Sequence, residues 1–224
     1  KSALAYKKAG KKSRQFFCSI SFFYKMLLSL FPTIIHIHKI TNFENSQKKL
    51  IEFIYDERKR DNVGIKASNS GGWHSKRDYH EKQDNILCHI VKSAIKTHFS
   101  DNDIFRENLQ IQISALWANI NGKGDFNVSH IHAGSDISGV LWIQIPENSG
   151  VIEFTSPHMY NQFKERQIYK KKIIDDAGIH PAWYLTPTEG NVIFFPSSLF
   201  HEVDPNNSEK DRISVSFNLN IINT

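Results

Sequence analysis

Two histidines stand one residue apart in "NVSHIHAGSDISGVLWIQIP" (127–146), just ahead of a strand-like run. In an extended chain His130 and His132 leave the same face, because side chains alternate with a period of two. Two imidazoles on one face can reach a single cation, at about 2.0–2.1 Å per nitrogen for a zinc-like metal. They can equally be two polar residues at the wet end of a sheet, so the pair depends on what converges with it. A third histidine follows in "GNVIFFPSSLFHEVDPNNSEKDRISVSFN" (190–218), which reads as strand, turn, His201, loop and strand. Arg212 opens the last strand and Ser214 shares its face at i+2. A planar guanidinium beside a hydroxyl suits a carboxylate, since the fork bonds both oxygens at once. Three imidazoles with an Arg–Ser pair call for a metal and a dicarboxylate or similar ligand.

The elements that must position these residues are legible from periodicity. "NSQKKLIEFIYDERKR" (45–60) is a helix candidate with Asn45 or Ser46 as N-cap and Leu50, Phe53 and Ile54 on one face. "DNILCHIVKSAIKTHF" (84–99) is a second, with an apolar stripe from Ile86 to Ile95. Between them "KASNSGGWHSKRDYH" reads as loop, and its His74 and His80 as solvated loop residues. After residue 105 come "LQIQISALWANI", "ISGVLWIQIP", "GVIEFTS", "AWYLTP", "NVIFFP" and "RISVSFNLNI", short runs rich in β-branched and aromatic residues. Six such runs without intervening helices predict an antiparallel sandwich or jelly roll. Segment 157–181, with His158, His180 and Lys170–Lys172, reads as a surface excursion. Trp117, Trp142, Phe194 and Phe195 read as core. Glu153 reads as a strand-end salt-bridge partner.

Charge and cysteine content bound the partners. The formal charge is +5, but seven basic residues and no acidic one fall in 1–25, leaving −2 for 26–224. That balance gives no reason to favour nucleic acid. "YKKAG" resembles a recombination-cloning linker and Met26 is the first methionine, so 1–25 is expected to be a non-native extension. A signal peptide is the rival reading; Lys25 interrupts its apolar run and no small-x-small cleavage site follows. Outside the extension Cys88 stands alone, which suits a reducing cytoplasm. No stretch reaches the roughly 18 apolar residues of a membrane span.

H-x-H, a distant His and R-x-S eleven residues later resemble the double-stranded β-helix Fe(II)- and 2-oxoglutarate-dependent dioxygenases. The resemblance is closer to a bacterial and phage branch of prolyl-hydroxylase-like oxygenases. It rests on "LFPT" (30–33), "GGWHS" (71–75), W-x-N (117–119), H-x-H-x-x-S-x-x-SGV (130–140), FPSxLxHxVxPN (195–206) and RISxSFN (212–218). The resemblance implies one domain over 26–224: a helical layer (26–105) on a mainly β, cupin-like jelly roll (106–224). It implies Fe(II), 2-oxoglutarate and O2 as cofactor and co-substrates, with succinate, CO2 and a hydroxylated product. His130 and His201 would be iron ligands, and Arg212 with Ser214 would hold the distal carboxylate. Relatives place a co-substrate-binding Tyr near the position of Asn119, which makes Asn119 a candidate for that role.

This sequence departs from the pattern at His132, where the wider superfamily has Asp or Glu. A facial triad of two histidines and one carboxylate is the familiar non-haem iron set. Three readings stay open: His132 replaces the carboxylate, Asp136 swings in from the next loop, or His132 is the first ligand and Gly134 leaves a vacant position. Two other functions fit three histidines on a jelly roll, a non-catalytic cupin-like binding module and a three-histidine dioxygenase without 2-oxoglutarate. Arg212 and Ser214 argue against the first, since a plain cupin site needs no carboxylate clamp, and succinate formation would separate the second. The prime substrate is expected to be a peptide or protein side chain or a small molecule, in the cytoplasm of a bacterium or a phage-infected host.

Overall fold

The computed structural model describes residues 30–82, 85–102, 104–106 and 108–223. The expected extension 1–25 and Met26 lie outside the described residues. In chain order the elements are β1 (His36–Lys39), α1 (Glu44–Arg60), β2 (Asn69–Ser70), β3 (Trp73–His74) and α2 (Ile86–Ile95). Then come β4 (Leu109–Asn121), β5 (Phe126–His130), β6 (Ile137–Gln144), β7 (Ile152–Thr155) and α3 (Lys171–Ala177). The chain closes with β8 (Ala182–Leu185), β9 (Asn191–Pro196), β10 (His201–Val203) and β11 (Arg212–Asn223). Two sheets form, ordered β1-β9-β6-β11-β4-β3 and β2-β5-β10-β7-β8. Every pairing of named strands is antiparallel. All six expected strand runs are strands; the structure adds β1, β2, β3, β5 and β10.

The period of two divides each central strand between two cores. On β6, Leu141 and Ile143 join Leu50, Ile54, Leu87 and Val91 of the helices in one buried cluster. Val140 and Trp142 point the other way and pack with Ile152, Phe154, Ile193 and Phe195 between the sheets. The β6 strand is therefore covered on both sides, which is why it reads as an almost unbroken apolar run. At Gly139 the ring of Phe217 lies 2.3 Å from where a Cβ would stand, so only glycine admits that ring.

The helices differ from expectation at their ends. Helix α1 starts one residue early, with Phe43 at the N-cap position and no side-chain cap. Phe43 instead buries its ring and anchors the entry hydrophobically. Asn85 caps α2, accepting from the amides of Leu87 and Cys88. The expected helix through residue 99 becomes a π turn over Lys96–Ser100, where the Asn102 side chain takes the Thr97 and His98 carbonyls. A short helix, α3, also interrupts the strand series, but it lies in the 157–181 excursion and buries no residue. No described helix is long and apolar enough to cross a membrane.

Candidate metal centre

Strand β5 carries His130 to its last position, and β10 places His201 directly opposite it in register. His132 follows two residues later, held by its amide to the Ser197 carbonyl at 2.8 Å. One ring nitrogen from each of His130, His132 and His201 lies within 4.8 Å of the others. No other such cluster of His, Cys, Asp or Glu occurs among the described residues.

Each ring is fixed through its Nδ1. His130 Nδ1 faces the Val128 carbonyl at 2.7 Å, and His201 Nδ1 faces the Leu199 carbonyl at 2.9 Å. A carbonyl can only accept, so both rings donate from Nδ1 and keep a lone pair on Nε2. His132 Nδ1 lies 2.5 Å from Asn218 Oδ1 and 2.8 Å from Ser138 Oγ. Partners of this kind set tautomer and orientation in metal sites.

Burial keeps these rings neutral, the form that binds metal. It pushes His201 down to about 3, with the neighbouring His130 adding to the effect, and His132 down to about 4. The nearby His74 is lowered to about 4 for the same first reason. An unfolded histidine titrates near 6.5, so below that pH the unfolded chain binds protons the folded chain refuses. The stability of the metal-free protein should therefore be full above about pH 6.5 and be lost progressively toward about pH 4. Thermal midpoints measured across that window should fall with acidification; a flat profile would contradict the burial of these rings.

Behind the histidines a narrow cavity runs into the barrel, lined by Trp117, Asn119, Trp142, Arg212 and Ser214 among others. Register explains the convergence: Ser214 on β11 stands opposite Asn119 on β4 and Trp142 on β6. Arg212 is 1% exposed. Its Nη1 donates to the carbonyls of Ser149 and of Asp204, the latter at 2.7 Å. Gly150 permits that approach, since at φ +84° a Cβ would lie 2.8 Å from the Asp204 carbonyl oxygen. Among the described residues, Nη2 is buried with no hydrogen-bond partner, as are Asn119 Oδ1 and Trp142 Nε1. Burial lowers the Arg212 pKa to about 10, which still leaves it charged at neutral pH. Leaving one buried donor unpaired costs about 1–3 kcal/mol, more for a charged group. An arginine with a spare buried donor is thus suited to an oxyanion.

The second face of the cluster opens on a cavity of about 340 Å³. Here two readings from sequence need correction. His74 is buried, not solvated: β3 adds to the edge of β4, sets His74 opposite Asn119 and stacks its ring on Trp117 at 5.5 Å. His80 is only partly exposed, at 18% of its side chain. Trp117 is buried as expected but also lines both cavities, 5.6 Å from the His132 ring. The Arg77 guanidinium lies 5.1 Å over its ring, and nothing in the sequence marked that residue. Pairing of a two-residue strand with a distant edge leaves no local periodicity, so these contacts had no signal to be read.

Asp136 is not brought to the cluster. Its carboxylate accepts from the Ile221 amide at 2.7 Å, on the outer side of β11. Gly134 sits in an exposed turn at φ +87° with open space around it. Glu153 forms no ion pair among the described residues; it stands opposite Tyr184 and Glu202, and burial and the Glu202 charge raise its pKa.

Residues 115–218 match the family model described as "Putative 2OG-Fe(II) oxygenase". No curated protein sequence matches the chain. Among solved structures, a prolyl hydroxylase from Trichoplax adhaerens in complex with a hypoxia inducible factor peptide fragment aligns over 83% of this chain and 82% of its own. Its TM-score is 0.56 and its identity 13%. The viral collagen prolyl hydroxylase of Paramecium Bursaria Chlorella virus-1, a 2OG complex, aligns over 82% and 94%, with TM-score 0.51 and identity 12%. HygX from Streptomyces hygroscopicus, with nickel, 2-oxoglutarate and hygromycin B bound, aligns over 84% and 83%, with TM-score 0.53 and identity 10%. At such identities the likeness is one of fold, here the double-stranded β-helix. The matched segment holds the three histidines, Arg212 and Ser214, and over it the chain is similar to the 2-oxoglutarate/Fe(II)-dependent oxygenases.

Proposed function

We propose that the chain oxidises a prime substrate with O2 and 2-oxoglutarate, releasing succinate and CO2 and, in the simplest case, a hydroxylated product. The observation that carries this reading is the unpartnered, buried Nη2 of Arg212 in the same cavity as the three-imidazole cluster. His130, His132 and His201 would hold Fe(II), since imidazole suits first-row divalent metals. Bound there, the metal and 2-oxoglutarate supply O2 activation coupled to oxidative decarboxylation. The protein's part is to hold and exclude. Arg212 and Ser214 would fix the distal carboxylate, with Asn119 as a further polar contact through its side-chain NH2, because a carboxylate only accepts. Trp142 and Phe195 wall the cavity and keep water from the co-substrate.

Three neutral ligands change the charge of the site. A triad with one carboxylate leaves a divalent metal at +1, whereas three imidazoles leave it at +2; with the Arg212 cation the site then carries +3, of which a 2-oxoglutarate dianion offsets two. The all-histidine set therefore strengthens the demand for an anionic co-substrate. As in the neighbours solved with a peptide fragment or with hygromycin B, the prime substrate would be a peptide or a small molecule.

Succinate is the discriminating product. Protein reconstituted with Fe(II) and given 2-oxoglutarate, O2 and ascorbate as reductant should form succinate, and omission of Fe(II) should stop it. Protein that binds Fe(II) and 2-oxoglutarate yet forms no succinate would fit the non-catalytic module instead.

A further inference from the structure

We propose that the prime substrate carries an oxyanion group, carboxylate or phosphate, on an apolar body, and that Arg77 selects it. The inference rests on the functional reading above, because it assigns the 340 Å³ cavity in front of the histidines to the prime substrate. Among the described residues, Arg77 is the only one in the lining with a permanent charge, and no acidic residue lines the cavity. Its guanidinium lies 5.1 Å over the Trp117 ring, whose other neighbours are His74, stacked at 7°, and His132. This stack holds the cation beside the histidine cluster and supports it by cation–π attraction. The Arg77 backbone carbonyl accepts from the Leu116 amide at 3.1 Å, which ties the residue to the edge of β4.

Apart from Arg77, the most exposed residues of the lining are apolar. Val128 is 45% and Ile131 39% exposed, on the strand and turn that carry His130 and His132. An apolar body laid against these two side chains would present an attached anion to the Arg77 fork. The fork bonds both oxygens of a carboxylate or phosphate at once. A neutral or cationic group at that point would leave Arg77 unsatisfied or repelled, so the same residue rejects as well as attracts.

The test uses three probes of similar size: 3-phenylpropionate, 3-phenylpropionamide and phenyl phosphate. Each is titrated calorimetrically into the full chain saturated with Ni(II) and 2-oxoglutarate, and into the metal-free chain. The expected result is at least tenfold tighter binding of an acid than of the amide. That preference should vanish in Arg77→Gln and survive in part in Arg77→Lys. Whichever acid binds more tightly identifies the oxyanion. Equal binding of acid and amide, an acid preference that survives Arg77→Gln, or no measurable binding of any probe at millimolar concentration would overturn the proposal. Saturation with 2-oxoglutarate is measured first. Its failure would strike the co-substrate reading, while the acid–amide comparison on metal-free chain would still decide the role of Arg77.

Discussion

Arg212→Ala is expected to weaken 2-oxoglutarate binding to the Ni(II)-loaded protein by about a hundredfold or more. The wild-type guanidinium is buried, holds two backbone carbonyls through Nη1 and leaves Nη2 without a hydrogen-bond partner among the described residues. Truncating one partner of a desolvated charge pair costs about 2–5 kcal/mol, and each 1.4 kcal/mol is tenfold in affinity. Metal affinity without co-substrate should change little, since Arg212 is not a member of the histidine cluster. Arg212→Lys should fall between, because it keeps the charge and loses the fork. That variant also guards against a loss caused only by misfolding. Calorimetric titration of 2-oxoglutarate into each loaded variant reads the result, and equal affinity in wild type and Arg212→Lys and Arg212→Ala would remove the clamp.

The second large effect concerns the metal. Loss of an outer partner of a metal ligand typically costs about 10–100-fold in affinity, so loss of a ligand itself should cost more. His201→Ala and His132→Ala are each expected to weaken Co(II) binding by more than about a hundredfold on that scale. Asp136→Ala should bind Co(II) nearly as wild type, because the Asp136 carboxylate is occupied by the Ile221 amide. The reverse pattern, mild at His132 and severe at Asp136, would make Asp136 the carboxylate ligand. If His130→Ala is the mild change and chloride perturbs the Co(II) spectrum, the vacant-position arrangement at Gly134 is correct.

What the sequence revealed and what it hid divide along locality. The i and i+2 spacing of His130 and His132, and of Arg212 and Ser214, is a property of any extended chain, so their shared faces were legible before the fold. The two helices and six of the strands were legible for the same reason, each carrying its own period. The elements that were missed are short and owe their existence to remote partners. Strand β3 has two residues and exists because Ile120 and Asn119 of β4 pair with it. That single pairing buries His74 and sets Trp117 between two histidines, so a Gly/Ser-rich stretch that reads as loop builds one wall of the site. Asn218 was likewise unread as a partner of His132, because β11 brings it there from 86 residues away. At the start of α1, the burial of Phe43 took the place of a polar N-cap.

The central claim is that three imidazoles and Arg212 together hold a metal and a dicarboxylate. A crystal structure of the protein grown with Ni(II) and 2-oxoglutarate, with anomalous data at the nickel edge, tests it most directly. The account predicts one anomalous peak bonded to Nε2 of His130, His132 and His201, with a carboxylate of 2-oxoglutarate on Nη2 of Arg212. A peak ligated by the Asp136 carboxylate in place of His132, or 2-oxoglutarate bound with Arg212 Nη2 still unpartnered, would contradict it.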